Sequence, residues 1–250
     1  DITYTGPHLE NLAKFYEEMG FKQLRQALDL SGEEAAPVAL DYTEVEQVTS
    51  DMLTEDSFFH FEMFGDNYHT EPIIGFAWGT KGQLYASTDT GLLQTPIFKE
   101  FLEKTPLKVY DFKRAKVLLS HLGITLQNPA FDSRLAKYLL STVEDNEIST
   151  IASLYSQIAL PLDEVVYGKG AKKAIPEKAV LLEHLVRKVA VLLDTEEPMT
   201  EQLQAHDQLD LLYDMEQPLA AVLAKMEIAG IKVERQTLQD MQVENEAVLE

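Results

Sequence analysis

SFFHFEMF (Ser57–Phe64), IIGFAWGT (Ile73–Thr80) and QLYAS (Gln83–Ser87) follow one another with the turn residues Gly65-Asp66-Asn67 and Lys81-Gly82 between them. All three are short and rich in aromatic and β-branched residues, which suits a pleated, half-buried surface, so they read as three consecutive antiparallel strands. Downstream the pattern alternates. A helix over Pro96–Glu103, a strand over Leu107–Tyr110, a helix over Phe112–Leu122 closed by Gly123, a short strand over Ile124–Leu126 and a helix over Ser133–Leu140 are expected. Strands first and then alternating strand and helix predict an α/β fold on a mixed sheet.

Upstream, apolar residues recur at helical spacing from Pro7 to Met19, and Asp29–Val48 is acidic, rich in small residues and aperiodic, as a linker is. Downstream, Leu160–Pro176 contains YGKGAKKAIP, whose two glycines and Pro176 exclude continuous helix. Helical stretches are expected over Glu177–His206, kinked or broken at Pro198, and over Leu209–Ala229, ended by Gly230. Ile231–Val233 reads as a short strand before helical spacing resumes at Gln236.

The 250 residues suffice for one large domain or for one domain with pieces of its neighbours. There are no cysteines, which excludes disulfides, thiolate metal sites and a cysteine nucleophile. Lys and Arg number 21 against 42 Asp and Glu, a net charge of −21 that opposes binding to a phosphate backbone. No signal pattern and no membrane-length apolar run occurs, so a cytoplasmic location is expected. The absence of an initiator Met and the stop at Glu250 inside a helical pattern read as cuts through a longer polypeptide.

LYDMEQPLAAVLAKMEIAGIKVE (Leu212–Glu234) resembles the lead-in to the polymerase region of bacterial family A DNA polymerases, where E-x-P-L precedes M-E-x-x-G-[IV]-x-[VL]. NYHTEPIIGFAW (Asn67–Trp78), FDSRLAKYLL (Phe131–Leu140) and VYGKGAKKAIPEKAVLLEHLVRK (Val166–Lys188) are similar to the exonuclease-like domain of that family in Gram-positive bacilli. The E-x-x-G-F of Glu17–Phe21 resembles the end of the preceding 5′ nuclease domain. The resemblance implies a ribonuclease H-like 3′–5′ exonuclease fold. It divides the chain into a nuclease tail at 1–30, a linker at 31–48, a degenerate exonuclease-like domain at 49–207 and the beginning of a polymerase domain at 208–250. It also implies a parent DNA polymerase that uses Mg²⁺ and binds DNA, with neighbouring 5′ nuclease and polymerase domains in the same chain, and a monomer.

An active exonuclease of this kind needs four converging carboxylates for two divalent ions about 3.5–4 Å apart. On the resemblance, the D-x-E of the first strand falls on Glu62 and Phe64, the Asp of the second motif on Ala115, and the Y-x-x-x-D of the third on Val180 and His184. A phenylalanine ring and a methyl group cannot ligate Mg²⁺, which demands near-octahedral oxygen donors. The resemblance therefore implies a vestigial site with no metal, no cofactor and no cutting. The alternatives are a rebuilt carboxylate cluster of Glu62, Asp66, Asp111 and Asp132, or a single-strand or protein interaction module built on the basic stretch Lys169–Lys178. Asp132 fits a helix N-cap. His60 and Glu62 share a strand face that reads as partly exposed, and His184, Arg187 and Lys188 read as a solvated helix face with a Glu183–Arg187 pair.

Overall fold

Strict alternation along Phe58–Met63 sends Phe59 and Phe61 to one face of a sheet and Phe58, His60 and Glu62 to the other, and both faces are covered. The computed structural model describes residues 40–249 together with Leu12, Phe15 and Tyr16. The Pro7–Met19 helix and the nuclease tail at 1–30 lie, but for those three helical residues, outside the described residues. Residues 40–250 form one compact unit.

Six strands build a mixed sheet: β1 (Thr43–Glu44), β2 (Phe58–Met63), β3 (Ile73–Thr80), β4 (Gln83–Ser87), β5 (Lys108–Val109) and β6 (Phe131–Asp132). Their order is β1-β4-β3-β2-β5-β6. The pairs β2–β3 and β3–β4 are antiparallel, as the sequence predicts, whereas β1–β4, β2–β5 and β5–β6 are parallel. Phe59 pairs with Trp78 and Phe61 with Phe76, and the register shifts between Glu62 and Met63.

The helices are α1 (Pro96–Lys104), α2 (Phe112–Ser120), α3 (Ser133–Leu140), α4 (Ile148–Tyr155), α5 (Asp163–Tyr167), α6 (Lys178–Ala205), α7 (Gln217–Ala229) and α8 (Arg235–Leu249). On one face, Phe59, Phe61, Phe76 and Trp78 form an apolar cluster with Phe98, Leu102, Phe112 and Leu119 of α1 and α2. On the other, Phe58, Ala77 and Ala86 meet Leu181, Leu185, Val189 and Leu192 of α6. Burying one leucine or phenylalanine side chain contributes about 1.5–3 kcal/mol, so the two clusters hold the sheet between its helical layers.

Five local expectations change. Thr43–Glu44, inside the stretch read as linker, is an edge strand anchored by buried Val45 and Val48; two residues are too few to show alternation. Ile124–Leu126 is not a strand. Its apolar side chains are buried, but its backbone turns instead: Ile124 N–H bonds Leu119 O and Leu126 O accepts from Lys116 Nζ, while the β5 partner is Phe131–Asp132. The helix at Pro198 is unbroken, running 28 residues, with buried Met199 and Leu203 holding the turn that lacks the proline N–H. Ile231–Val233 is exposed and forms no strand, and the loop after Leu160 contains α5.

Candidate functional site

α6 is apolar around most of its circumference, so the polar residues embedded in it are buried with the rest. His184, Arg187 and Lys188 are each under 5% exposed, which corrects the reading of a solvated face. The strand face that carries His60 and Glu62 is likewise closed, because α6 lies over it. A buried carboxylate requires a partner, and Glu62 has two. Lys188 Nζ donates to Glu62 Oε2 at 2.5 Å and His60 Nε2 donates to the same oxygen at 3.1 Å. Lys188 Nζ also lies 2.9 Å from Asp163 Oδ1 and 3.2 Å from Oδ2, and His184 Nε2 contacts Oδ1 at 2.6 Å. One ammonium thus faces three carboxylate oxygens from two elements, β2 and α5.

Electrostatics follow from this arrangement. Burial alone would raise the Glu62 carboxyl, but the Lys188 charge and the His60 hydrogen bond hold it well below the usual range. Asp163 is opposed by burial too and is held low by His184 and Lys188. Burial would lower Lys188, yet Glu62 and Asp163 raise it, whereas burial dominates at His60 and keeps it neutral. These groups adjoin a cavity of about 290 Å³ lined by Glu62, Asp163, Lys188, Arg114, Tyr110 and Glu147 among others.

Of the five degenerate motif positions Glu62, Phe64, Ala115, Val180 and His184, Glu62 alone lines that cavity, together with His60 and Lys188. Phe64 packs edge-on against Tyr167, ring centroids 6.1 Å apart, with Lys173 over its face at 5.3 Å. Ala115 is buried in the cluster containing Phe59 and Phe61, which point away from Glu62; its neighbour Arg114 reaches the cavity instead. Val180 is half exposed at the surface, and His184 touches the site through Asp163. Asp111, Asp132 and Asp66 do not join Glu62. Asp132 caps α3 as expected, accepting from Arg134 N and Leu135 N, and also accepts from Asp111 N and Phe112 N at the start of α2. Asp111 pairs with Arg134, and exposed Asp66 with Lys173 at 3.5 Å. In the basic stretch, Lys169 pairs with Glu164 at 3.0 Å and Lys178 with Glu44. Sequence reasoning missed Lys188 and Asp163. The apolar girth of α6 was the available signal for Lys188; Asp163 sits in a turn-rich loop without periodicity.

The family model for the DNA polymerase I ribonuclease H-like domain matches residues 59–195, a span that begins on β2 and ends in α6. The chain belongs to the DNA polymerase I family. A DNA polymerase I of Streptococcus pneumoniae is 63% identical over all 250 residues, and one of Geobacillus stearothermophilus is 36% identical over 98% of the chain. The chain spans 28% of the length of each of these relatives. Among solved structures, Brucella melitensis NrnC superposes with a TM-score of 0.61 over 75% of this chain and 91% of its own at 14% identity, a likeness of fold.

The two divalent ions of an exonuclease in this fold do not fit the DNA polymerase I residues present here. Of the residues that the resemblance puts at ligand positions, Glu62 carries the Lys188 ammonium, Phe64 offers a phenyl ring and Ala115 a methyl group. Among the described residues no three His, Asp or Glu side chains converge as a metal-holding group.

Proposed function

We propose that the chain is a non-cutting exonuclease-like module of a DNA-directed DNA polymerase, and that it serves as a scaffold for the helix leading into the polymerase region. One contact carries the reading: the Lys188 ammonium on the Glu62 carboxylate, where an exonuclease presents a metal ligand. The third motif reads best one helical turn later than Val180 and His184, with His184 at the phenol position and Lys188 at the carboxylate position, because Lys188 is the residue that meets the first strand. DNA, Mg²⁺ and nucleotidyl transfer then belong to the polymerase region of a cytoplasmic, monomeric parent protein, and 208–250 is the beginning of that region.

The scaffold role is supported by how α7 is held at both ends. Gln217 Oε1 accepts from Asp132 N–H at 2.9 Å and its Nε2 donates to Pro129 O at 3.2 Å, both buried. Near the other end, Glu227 accepts from Tyr68 Oη at 2.9 Å and from Lys113 Nζ at 2.6 Å. Between them Ala220 and Ala221 are buried, small enough to bring α7 close to α2. The acidic partners of Lys169, Lys173 and Lys178 argue against a single-strand clamp at that loop.

The test is incubation of the chain with end-labelled single-stranded DNA in Mg²⁺ or Mn²⁺. Full-length label throughout is expected. Stepwise 3′ shortening that disappears in Glu62→Ala would overturn the reading and favour a rebuilt nuclease.

A further inference from the structure

We infer that the Lys188 ammonium is a built-in substitute for a divalent cation, so that removing it converts the Glu62 and Asp163 carboxylates into a cation site. The inference rests on the reading that this module cuts nothing, and goes beyond it by naming what fills the place of a metal. Nζ lies within 2.5–3.2 Å of Glu62 Oε2 and both oxygens of Asp163, a three-oxygen cradle from two elements that an isolated surface ion pair does not have. Lys188 is 4% exposed, and its stem runs within an apolar helix to reach that cradle. The Lys188–Glu62 pair is buried on both sides, whereas the Asp163 side chain is 56% exposed at the mouth of the cradle; removing one partner of the buried pair leaves the other charge uncompensated.

Deleting the ammonium leaves two carboxylates opening on the 290 Å³ cavity, with Glu147 and Glu164 on its wall. Carboxylates with water completing the shell suit Mg²⁺ and Mn²⁺. The cavity exceeds the roughly 30 Å³ that one water occupies, so water can complete a shell there.

Mn²⁺ binding to the full chain, measured by loss of the free-ion electron paramagnetic resonance signal, tests this. Lys188→Met is expected to gain one site at least tenfold tighter than the background of surface carboxylates, lost again in Lys188→Met/Glu62→Gln. Saturating Mn²⁺ should raise the Tm of Lys188→Met by about 5–10 °C at a hundredfold excess over Kd and leave the wild type unchanged. If Lys188→Met is unfolded in chelator, Mn²⁺ should restore its circular dichroism melt. A folded Lys188→Met with wild-type Mn²⁺ affinity, an unfolded one that Mn²⁺ does not restore, or a tight wild-type site lost in Glu62→Gln would each overturn the inference. The first two leave the nuclease-free reading standing. Wild-type shortening of DNA would overturn that reading whatever Mn²⁺ does to the variant.

Discussion

Glu62 and Asp132 are both carboxylates nine-tenths or more buried beside the same sheet, yet the protein accommodates them by opposite means. Glu62 is matched by a full positive charge, and its carboxyl is held well below the usual range. Asp132 is matched by four backbone N–H groups, from the starts of α2 and α3, and by no cation of its own. Burial, with the nearby Asp111 charge, outweighs those dipoles and pushes it up to about 6. Backbone dipoles can position a carboxylate; an ammonium is what keeps one firmly ionised out of water. Asp132 is therefore an architectural cap, whereas the surroundings of Glu62 resemble those of a cation ligand.

The contrast breaks most visibly at the ion pair. Lys188→Met in chelator strands Glu62 and is expected to cost about 3–5 kcal/mol in urea unfolding, a loss that Lys188→Met/Glu62→Gln should largely recover. A cost below about 1 kcal/mol would mean that Glu62 does not depend on Lys188.

Acid titration should separate the two carboxylates by sign. Asp132, raised from 3.8 to about 6, contributes stability that is complete below 3.8 and lost as pH rises through 6, up to about 3 kcal/mol. Glu62, depressed from 4.5, contributes stability present above 4.5 and lost as pH falls through its lower folded value. Urea midpoints against pH should therefore lose the first slope in Asp132→Asn and the second in Glu62→Gln; equal profiles for the two variants would erase the distinction.

At constant pH 7, Asp132→Ala removes the cap of α3 and the acceptor of the Asp111 and Phe112 N–H groups at the start of α2, and should cost about 2 kcal/mol, with little change in Mn²⁺ binding. Gln217→Ala should cost about 1 kcal/mol and increase amide hydrogen exchange in α7 ahead of α2. Unchanged exchange would show that Gln217 does not hold α7.

Much of this architecture was legible in the residues. SFFHFEMF and its two successors are rich in aromatic and β-branched residues and bounded by turns, so three consecutive antiparallel strands follow from composition and punctuation, and Asp132 before Ser133 announces a cap. Less could be read where local and long-range forces diverge. Ile124–Leu126 has strand-like side chains but spends its backbone groups on a turn. His184 and Lys188 carry polar labels, and only the packing of α6 onto β2 converts them from surface residues into the interior of a site. Asp163 depends on a loop-borne helix of 5 residues, below the length at which a period is visible.

At Glu62 the positive charge is supplied by the chain itself. A diffusible ion occupies its site according to its concentration, and a chelator or a shortage empties it. An ion carried on four methylenes of the same chain has an effective concentration fixed by covalent geometry, and no dilution lowers it. The interior of this fold is therefore complete as soon as α6 closes on β2, in any ionic medium the cell provides.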